Sequence, residues 1–237
     1  MLPVGPRISR DARLRRRRPG GHDGAVTSPD VARPFEVLAV CTGNICRSPA
    51  VERLLAARLG VPYRNAKASR ADVDGAALRA GVGTASAGVG AVVGAAVSAP
   101  MAELLRAAGA DAEGFVARQL TADLVRAAGL VLVLTRRHRS AVVELEPAAV
   151  RRTFTLRELA RLADGVDASL LPHGPATTVA DRMRALVPLA AARRGLVASD
   201  PALDDVIDPY RGSSALYRRS FDELAPAVDR LVALVRD

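Results

Sequence analysis

An apolar run, Phe35–Val40 (FEVLAV), leads directly into Cys41-Thr-Gly-Asn-Ile-Cys-Arg47-Ser48-Pro49. Leu54, Leu55 and Leu59 then recur at helical spacing. A short apolar run ending at a glycine-containing turn reads as a buried strand. Pro49 suits the first turn of a helix over Ser48–Leu59. Strand, tight turn and helix in this order make an anion site. The N–H groups of the turn and of the helix start point inward, and the helix dipole adds positive potential. In open parallel sheets ligands gather at the carboxyl ends of strands, which is where Cys41 falls.

The same alternation continues along the chain. Strands are predicted over Val82–Ser86, Leu130–Leu134 (LVLVL) and Arg151–Leu156, and helices over Ala99–Ala108, from Thr121, through Glu146, and over Arg157–Ala163. Further helices are predicted over Val179–Arg194 and Ser213–Val235. Alternating strands and helices imply parallel βαβ units, so the expected class is α/β, an open sheet flanked by helices with a phosphate-binding loop after strand 1. Residues 1–33 hold eight Arg and three Asp, with Arg15–Arg18 followed by Pro-Gly-Gly, and read as a disordered Arg-rich tail. Residues 34–237 form one domain with a Pro- and Gly-containing insertion at about 164–204.

Composition narrows the function classes. Two cysteines among 237 residues cannot build a disulfide framework, and they lie five positions apart. Cysteine chemistry in a reducing, cytoplasmic setting is the expectation. Three histidines without a Cys/His cluster argue against a structural zinc site. The net charge of +9, of which the tail supplies +5 (eight Arg less three Asp), leaves a modest surplus suited to anionic substrates. The basic start lacks the apolar segment of a signal peptide. Gly81–Ala102 is uncharged, but it is mostly Gly, Ala and Ser and too weakly hydrophobic for a membrane span.

The loop reads C-x5-R, not the G-x-x-x-x-G-K-[ST] of a nucleotide-binding loop. Five intervening residues can curl around a dianion while both flanking side chains reach its centre. The positive field favours the Cys41 thiolate, the form that attacks phosphorus. Arg47 offers a fork of donors that matches two phosphoryl oxygens and the charge of the transition state. Ser48 can donate to the Cys41 sulfur and help it leave. Gly43 is expected to permit a turn that a Cβ would obstruct, and Asn44 to hold the loop through its side chain. Thr42, Ile45 and Cys46 complete it. The leaving oxygen needs an acid, and Asp208 in Val206-Ile-Asp-Pro-Tyr210 is the candidate. Pro209 would stiffen that segment, and Tyr210 could line the pocket.

Together these residues resemble the low-molecular-weight protein tyrosine phosphatase family. Its pattern V-C-x-G-N-I-C-R-S-P stands here as Val40–Pro49, and its D-P-Y motif as Asp208-Pro209-Tyr210. Ser86-Ala87-Gly88, Ala117-Arg118-Gln119 and the LVLVLT strand are also similar. The resemblance implies a four-stranded parallel sheet and hydrolysis of phosphotyrosine in proteins through a phosphocysteine. Neither cofactor nor metal takes part, and no obligate nucleic acid partner is implied. Cys41 would be the nucleophile, Arg47 the phosphate binder, Asp208 the general acid and then base. Cys46 would trap oxidised Cys41 as a reversible disulfide.

Three departures stand out. No ring follows Ser86-Ala87-Gly88, where many members carry an aromatic wall. Phe115 replaces a histidine that buttresses the loop asparagine. About forty residues are inserted before Asp208. Arsenate reductases of this fold need further cysteines, and none follows Cys46. Protein-arginine phosphatases tend to carry Thr where this chain has Ile45. A non-catalytic binding protein using the tail and the insertion would need neither Cys41 nor Asp208.

Overall fold

A computed structural model of the chain describes residues 34–61, 81–196 and 200–236. The Arg-rich tail lies outside the described residues. Four strands form one parallel sheet: β1 (Phe35–Cys41), β2 (Val82–Gly88), β3 (Ala128–Val133) and β4 (Thr153–Thr155), in the order β2-β1-β3-β4. Side chains alternate across β1. Val37, Ala39 and Cys41 join one apolar cluster and Leu38 and Val40 the other. Burial on both faces explains why β1 and β3 read as continuous apolar runs rather than alternating ones.

The larger layer holds α1 (Arg47–Leu59), α2 (Ala99–Ala107), α5 (Leu156–Ala163), α6 (Val179–Ala192) and α7 (Ser214–Arg236); α3 (Ala122–Ala127) and α4 (Arg136–Leu145) lie in chain order between them. Local chemistry fixes the helix starts. Thr121 and Thr135 accept hydrogen bonds from Leu124 and His138 N–H, and Thr155 with Glu158 makes a reciprocal capping box. The fourth strand is shorter than its predicted span. Pro147–Arg152 instead winds as a 3₁₀ turn, held where Arg152 donates to the Ala128 and Ala148 carbonyls.

The insertion at about 164–204 is not all surface. Part of it is core. Ala180, Met183, Leu186 and Ala190 of α6 are buried in the larger cluster. Arg194, just past α6, pairs with Glu158 at 2.8 Å and stacks 3.9 Å over the Phe154 ring. The helix is amphipathic, and its apolar stripe needed a covered face. The uncharged stretch 81–102 supplies β2, a loop and the start of α2. Among the described residues no helix is long and apolar enough to cross a membrane.

Candidate active site

Cys41 ends β1 and Arg47 begins α1, so the loop between them sits at the carboxyl edge of the sheet. Its carbonyls are occupied from outside. Val89, Gly90, Val92 and Ser98 N–H donate to the carbonyls of Cys41, Thr42, Gly43 and Ile45 at 2.8–3.0 Å. In a planar trans peptide the N–H points opposite to the carbonyl. The N–H groups of Thr42, Gly43, Asn44 and Cys46 are therefore turned toward the loop's interior, where an anion would sit.

The residue that makes the turn is Asn44, with φ of 54°. Asparagine tolerates this left-handed region better than most side chains. Its amide is satisfied on every side. Nδ2 donates to Ser48 Oγ and Ser86 Oγ, both at 2.9 Å, and Oδ1 accepts from Arg118 N–H at 2.9 Å. Phe115 lies beneath the Arg53 guanidinium, whose carbon is 5.5 Å from the ring centroid. The expectation for Gly43 is corrected. A Cβ there would meet Ile45 Cγ1 at an ordinary 3.4 Å, because the sharp turn is one residue later. The glycine that sterics demand is Gly88 at the end of β2, where a Cβ would lie 2.4 Å from the Thr42 carbonyl oxygen.

Cys41 Sγ lies 3.0 Å from Ser48 Oγ. Since Asn44 donates to that hydroxyl, Ser48 is left to direct its own proton toward the sulfur or the Ala87 carbonyl. Arg47 is 4% exposed and its guanidinium is held on two sides: Nη1 donates to the Val206 carbonyl at 3.1 Å and Nη2 pairs with Asp208 at 2.6 Å. Its Nε is buried with no hydrogen-bond partner among the described residues. A buried donor without an acceptor is costly, and an oxygen of a bound anion would satisfy it. Asp208 is half exposed and also accepts from Tyr210 N–H at 3.2 Å.

A cavity of about 260 Å³ is lined by Cys41, Arg47, Ile45, Asp208 and Tyr210, with Gly90 and Val92 on the side where the ring is missing. Val92 and Tyr210 keep it apolar at the rim. Cys46 is buried, 3.2 Å from Ser98 Oγ and 3.6 Å from Tyr217 Oη. Burial holds its thiol up against those hydrogen bonds, and both cysteines are free.

Two further residues support the loop. His138 bridges Thr42 Oγ1 and Thr135 Oγ1, each at 2.9 Å, and burial plus the nearby Arg47 charge lower its pKa to about 4. It is neutral at physiological pH. Glu52 on α1 accepts from Ser86 Oγ at 2.5 Å, so a buried path runs Glu52–Ser86–Asn44–Ser48–Cys41. Burial raises the Glu52 pKa to about 7.

This yields a pH-dependent prediction. A carboxyl whose pKa is raised on folding stabilises the native state fully below its unfolded value, and the contribution is lost as pH rises through the folded value. For Glu52 the window runs from 4.5 to about 7, and a shift of this size is worth ~3 kcal/mol. His138 tilts the other way. Its lowered pKa gives stability that is present above 6.5 and lost as pH falls through about 4. The difference between Glu52→Gln and wild type isolates the carboxyl. In urea unfolding at a series of pH values, the variant should gain on wild type as pH rises across the window, by ~3 kcal/mol in all.

Residues 36–170 match the model of the family described as low molecular weight phosphotyrosine protein phosphatase. The chain belongs to this family. Its members are hydrolases, and relatives confirm the placement. The chain is 35% identical over 118 residues to the probable low molecular weight protein-tyrosine-phosphatase AmsI of Erwinia amylovora, covering 50% of this chain and 68% of that protein. It is 28% identical over 198 residues to the protein-arginine-phosphatase of Geobacillus stearothermophilus, covering 84% and 94%. The structure of the YwlE arginine phosphatase from that organism superposes with a TM-score of 0.55 at 28% identity, over 84% of this chain and 92% of that one. The Erwinia amylovora phosphatase structure gives 0.56 at 22% identity, a likeness of fold over 86% and 95%.

Proposed function

We propose that this phosphatase hydrolyses phosphotyrosine in proteins through a phosphocysteine formed on Cys41. The observation that carries the reading is the set of groups around one point: inward loop N–H groups, the Arg47 guanidinium, the Cys41 sulfur and the Asp208 carboxyl. A dianion in the loop competes with Asp208 for Arg47 and satisfies the buried Nε. Cys41 then attacks phosphorus while Asp208 gives a proton to the leaving oxygen. In the second step Asp208 takes a proton from water, water attacks phosphorus, and the sulfur leaves with the Ser48 hydroxyl supporting it.

The phosphotyrosine assignment rests on the pocket rim. Ile45, Val92 and Tyr210 are apolar contacts suited to a phenyl ring. A second reading, phosphoarginine, is favoured by the long match to an arginine phosphatase. Matched peptides carrying phosphotyrosine or phosphoarginine decide between them. At least tenfold higher kcat/KM for phosphotyrosine is the result expected for a rim without a further acceptor for a guanidinium, about the discrimination one apolar pocket supplies. A preference for phosphoarginine would overturn the assignment.

Asp208 has its own test. Asp208→Asn should lower kcat on phosphotyrosine by about 10²–10⁴, the usual contribution of a positioned acid. The loss should shrink on an aryl phosphate whose leaving group is a weak base, since that oxygen departs unprotonated. An equal loss on both substrates would remove Asp208 from the acid role.

A further inference from the structure

On the far side of the Arg47–Asp208 pair lies a second cavity, of about 670 Å³. It shares Thr42, Arg47 and Asp208 with the loop pocket, so the two spaces adjoin at that ion pair. Its other walls come from α4, from α7, and from the end of the insertion at Ala202, Leu203 and Asp205. The insertion is fixed there. Arg161 Nη2 reaches both oxygens of Asp204 at 3.1 and 3.2 Å, and Arg157 donates to the Asp205 carbonyl at 3.1 Å.

The charge of this cavity follows from its pairs. Asp208 is matched by Arg47, Asp205 by Arg136 at 3.5 Å, and Glu223 by Arg219 at 3.3 Å. The Glu223 carboxylate also accepts from Ile207 N–H at 2.9 Å, with Arg157 at 3.9 Å. Glu223 is thus shared by Arg157 and Arg219, Asp205 is met by Arg136 from outside the lining, and Arg47, Arg137, Arg157 and Arg219 line the space against three carboxylates. His138 is neutral and adds no charge. A surplus of one guanidinium among the lining residues (four arginines less three carboxylates), beside a phosphoryl site, favours an anion carried by the same substrate.

We infer that this cavity is a subsite for an acidic side chain, Asp or Glu, flanking the phosphorylated residue of the substrate. The inference rests on the phosphatase reading and narrows its substrate class to phosphoproteins with acidic surroundings. Arg137 and Arg219 are the reading residues, both exposed at the mouth, and the insertion supplies the wall that bounds the subsite.

Binding of labelled phosphotyrosine peptides to Cys41→Ser tests it without turnover. One peptide carries Glu on both sides of the phosphotyrosine, the other Ala. The acidic peptide should bind about tenfold tighter at low salt, with the advantage shrinking as ionic strength rises. Arg137→Glu and Arg219→Glu, each added to Cys41→Ser, should remove most of that advantage while leaving the neutral peptide's affinity in place. With Cys41 intact, both variants should hydrolyse a simple aryl phosphate within about twofold of wild type, because neither charge touches the phosphoryl group. Equal binding of the two peptides, or an advantage untouched by both reversals, would overturn the subsite. Absence of aryl phosphate hydrolysis in wild type would count instead against the phosphatase reading, and the peptide binding result would stand on its own.

Discussion

Cys41→Ser is expected to abolish hydrolysis of aryl phosphates, lowering kcat by about 10⁴ or more, the scale seen when a covalent nucleophile is removed. That factor corresponds to ~5 kcal/mol or more of lost transition-state stabilisation. A serine hydroxyl at this position remains protonated and is a poorer nucleophile than a thiolate. The substitution should leave the fold intact. The contact it alters, Sγ to Ser48 Oγ at 3.0 Å, becomes one between two hydroxyls in a site that Asn44 already orders. Inorganic phosphate should therefore still bind, and the measurement that checks this is competition by phosphate for a labelled phosphopeptide. A rate equal to wild type would remove Cys41 from the chemistry altogether.

Arg47→Lys should cost about 10³ in kcat/KM although the charge is kept, in the range reported for losing transition-state charge contacts. The arginine serves three directions at once: the Val206 carbonyl, Asp208, and the interior toward which its buried Nε is free. A lysine ammonium is a point charge on a flexible stem and cannot reproduce a planar fork. Val206 also anchors the segment carrying Asp208, through its N–H on the Leu134 carbonyl at 2.8 Å. Losing the Nη1 contact should loosen that segment as well, so the Lys variant is expected to show both a raised KM and a lowered kcat. Steady-state kinetics on one aryl phosphate separates the two.

The loop was legible in the sequence because its residue types are dictated locally. Cys, Arg, Ser and Pro sit at fixed offsets between a strand and a helix, and no long-range fact is needed to see what that arrangement can hold. Asp208 was legible only through its Asp-Pro-Tyr setting and the need for an acid. The glycine argument went to the wrong residue. Gly43 stands in the motif, yet the backbone strain is at Asn44 and the steric demand at Gly88, 45 positions further along the chain from Gly43. That demand exists only because β2 pairs with β1 in a register that sets Gly88 opposite Cys41.

Glu52 and His138 were missed for a related reason. A single acid on α1 reads as a solvated face, and a histidine among three arginines reads as surface. Each becomes informative once the sheet order brings Ser86 beside Glu52 and Thr42 beside His138. The replacement of an aromatic wall by Val92 was visible as an absence of rings, but not as the apolar rim that loop 89–98 builds. The stripe of α6 was legible as a helix. Its burial was not, since periodicity gives a face and not the surface that covers it.

The central claim is the covalent step on Cys41. Asp208→Asn, mixed with an aryl phosphate and quenched in acid within one turnover, should carry a phosphoryl group on the peptide containing Cys41, seen by mass spectrometry of the digest. The aryl product should appear in a burst equal to the enzyme present. The same peptide from Cys41→Ser should be unmodified. Turnover without any phosphorylated Cys41 peptide, and without a burst, would mean that water attacks phosphorus directly and that the thiol is not the nucleophile.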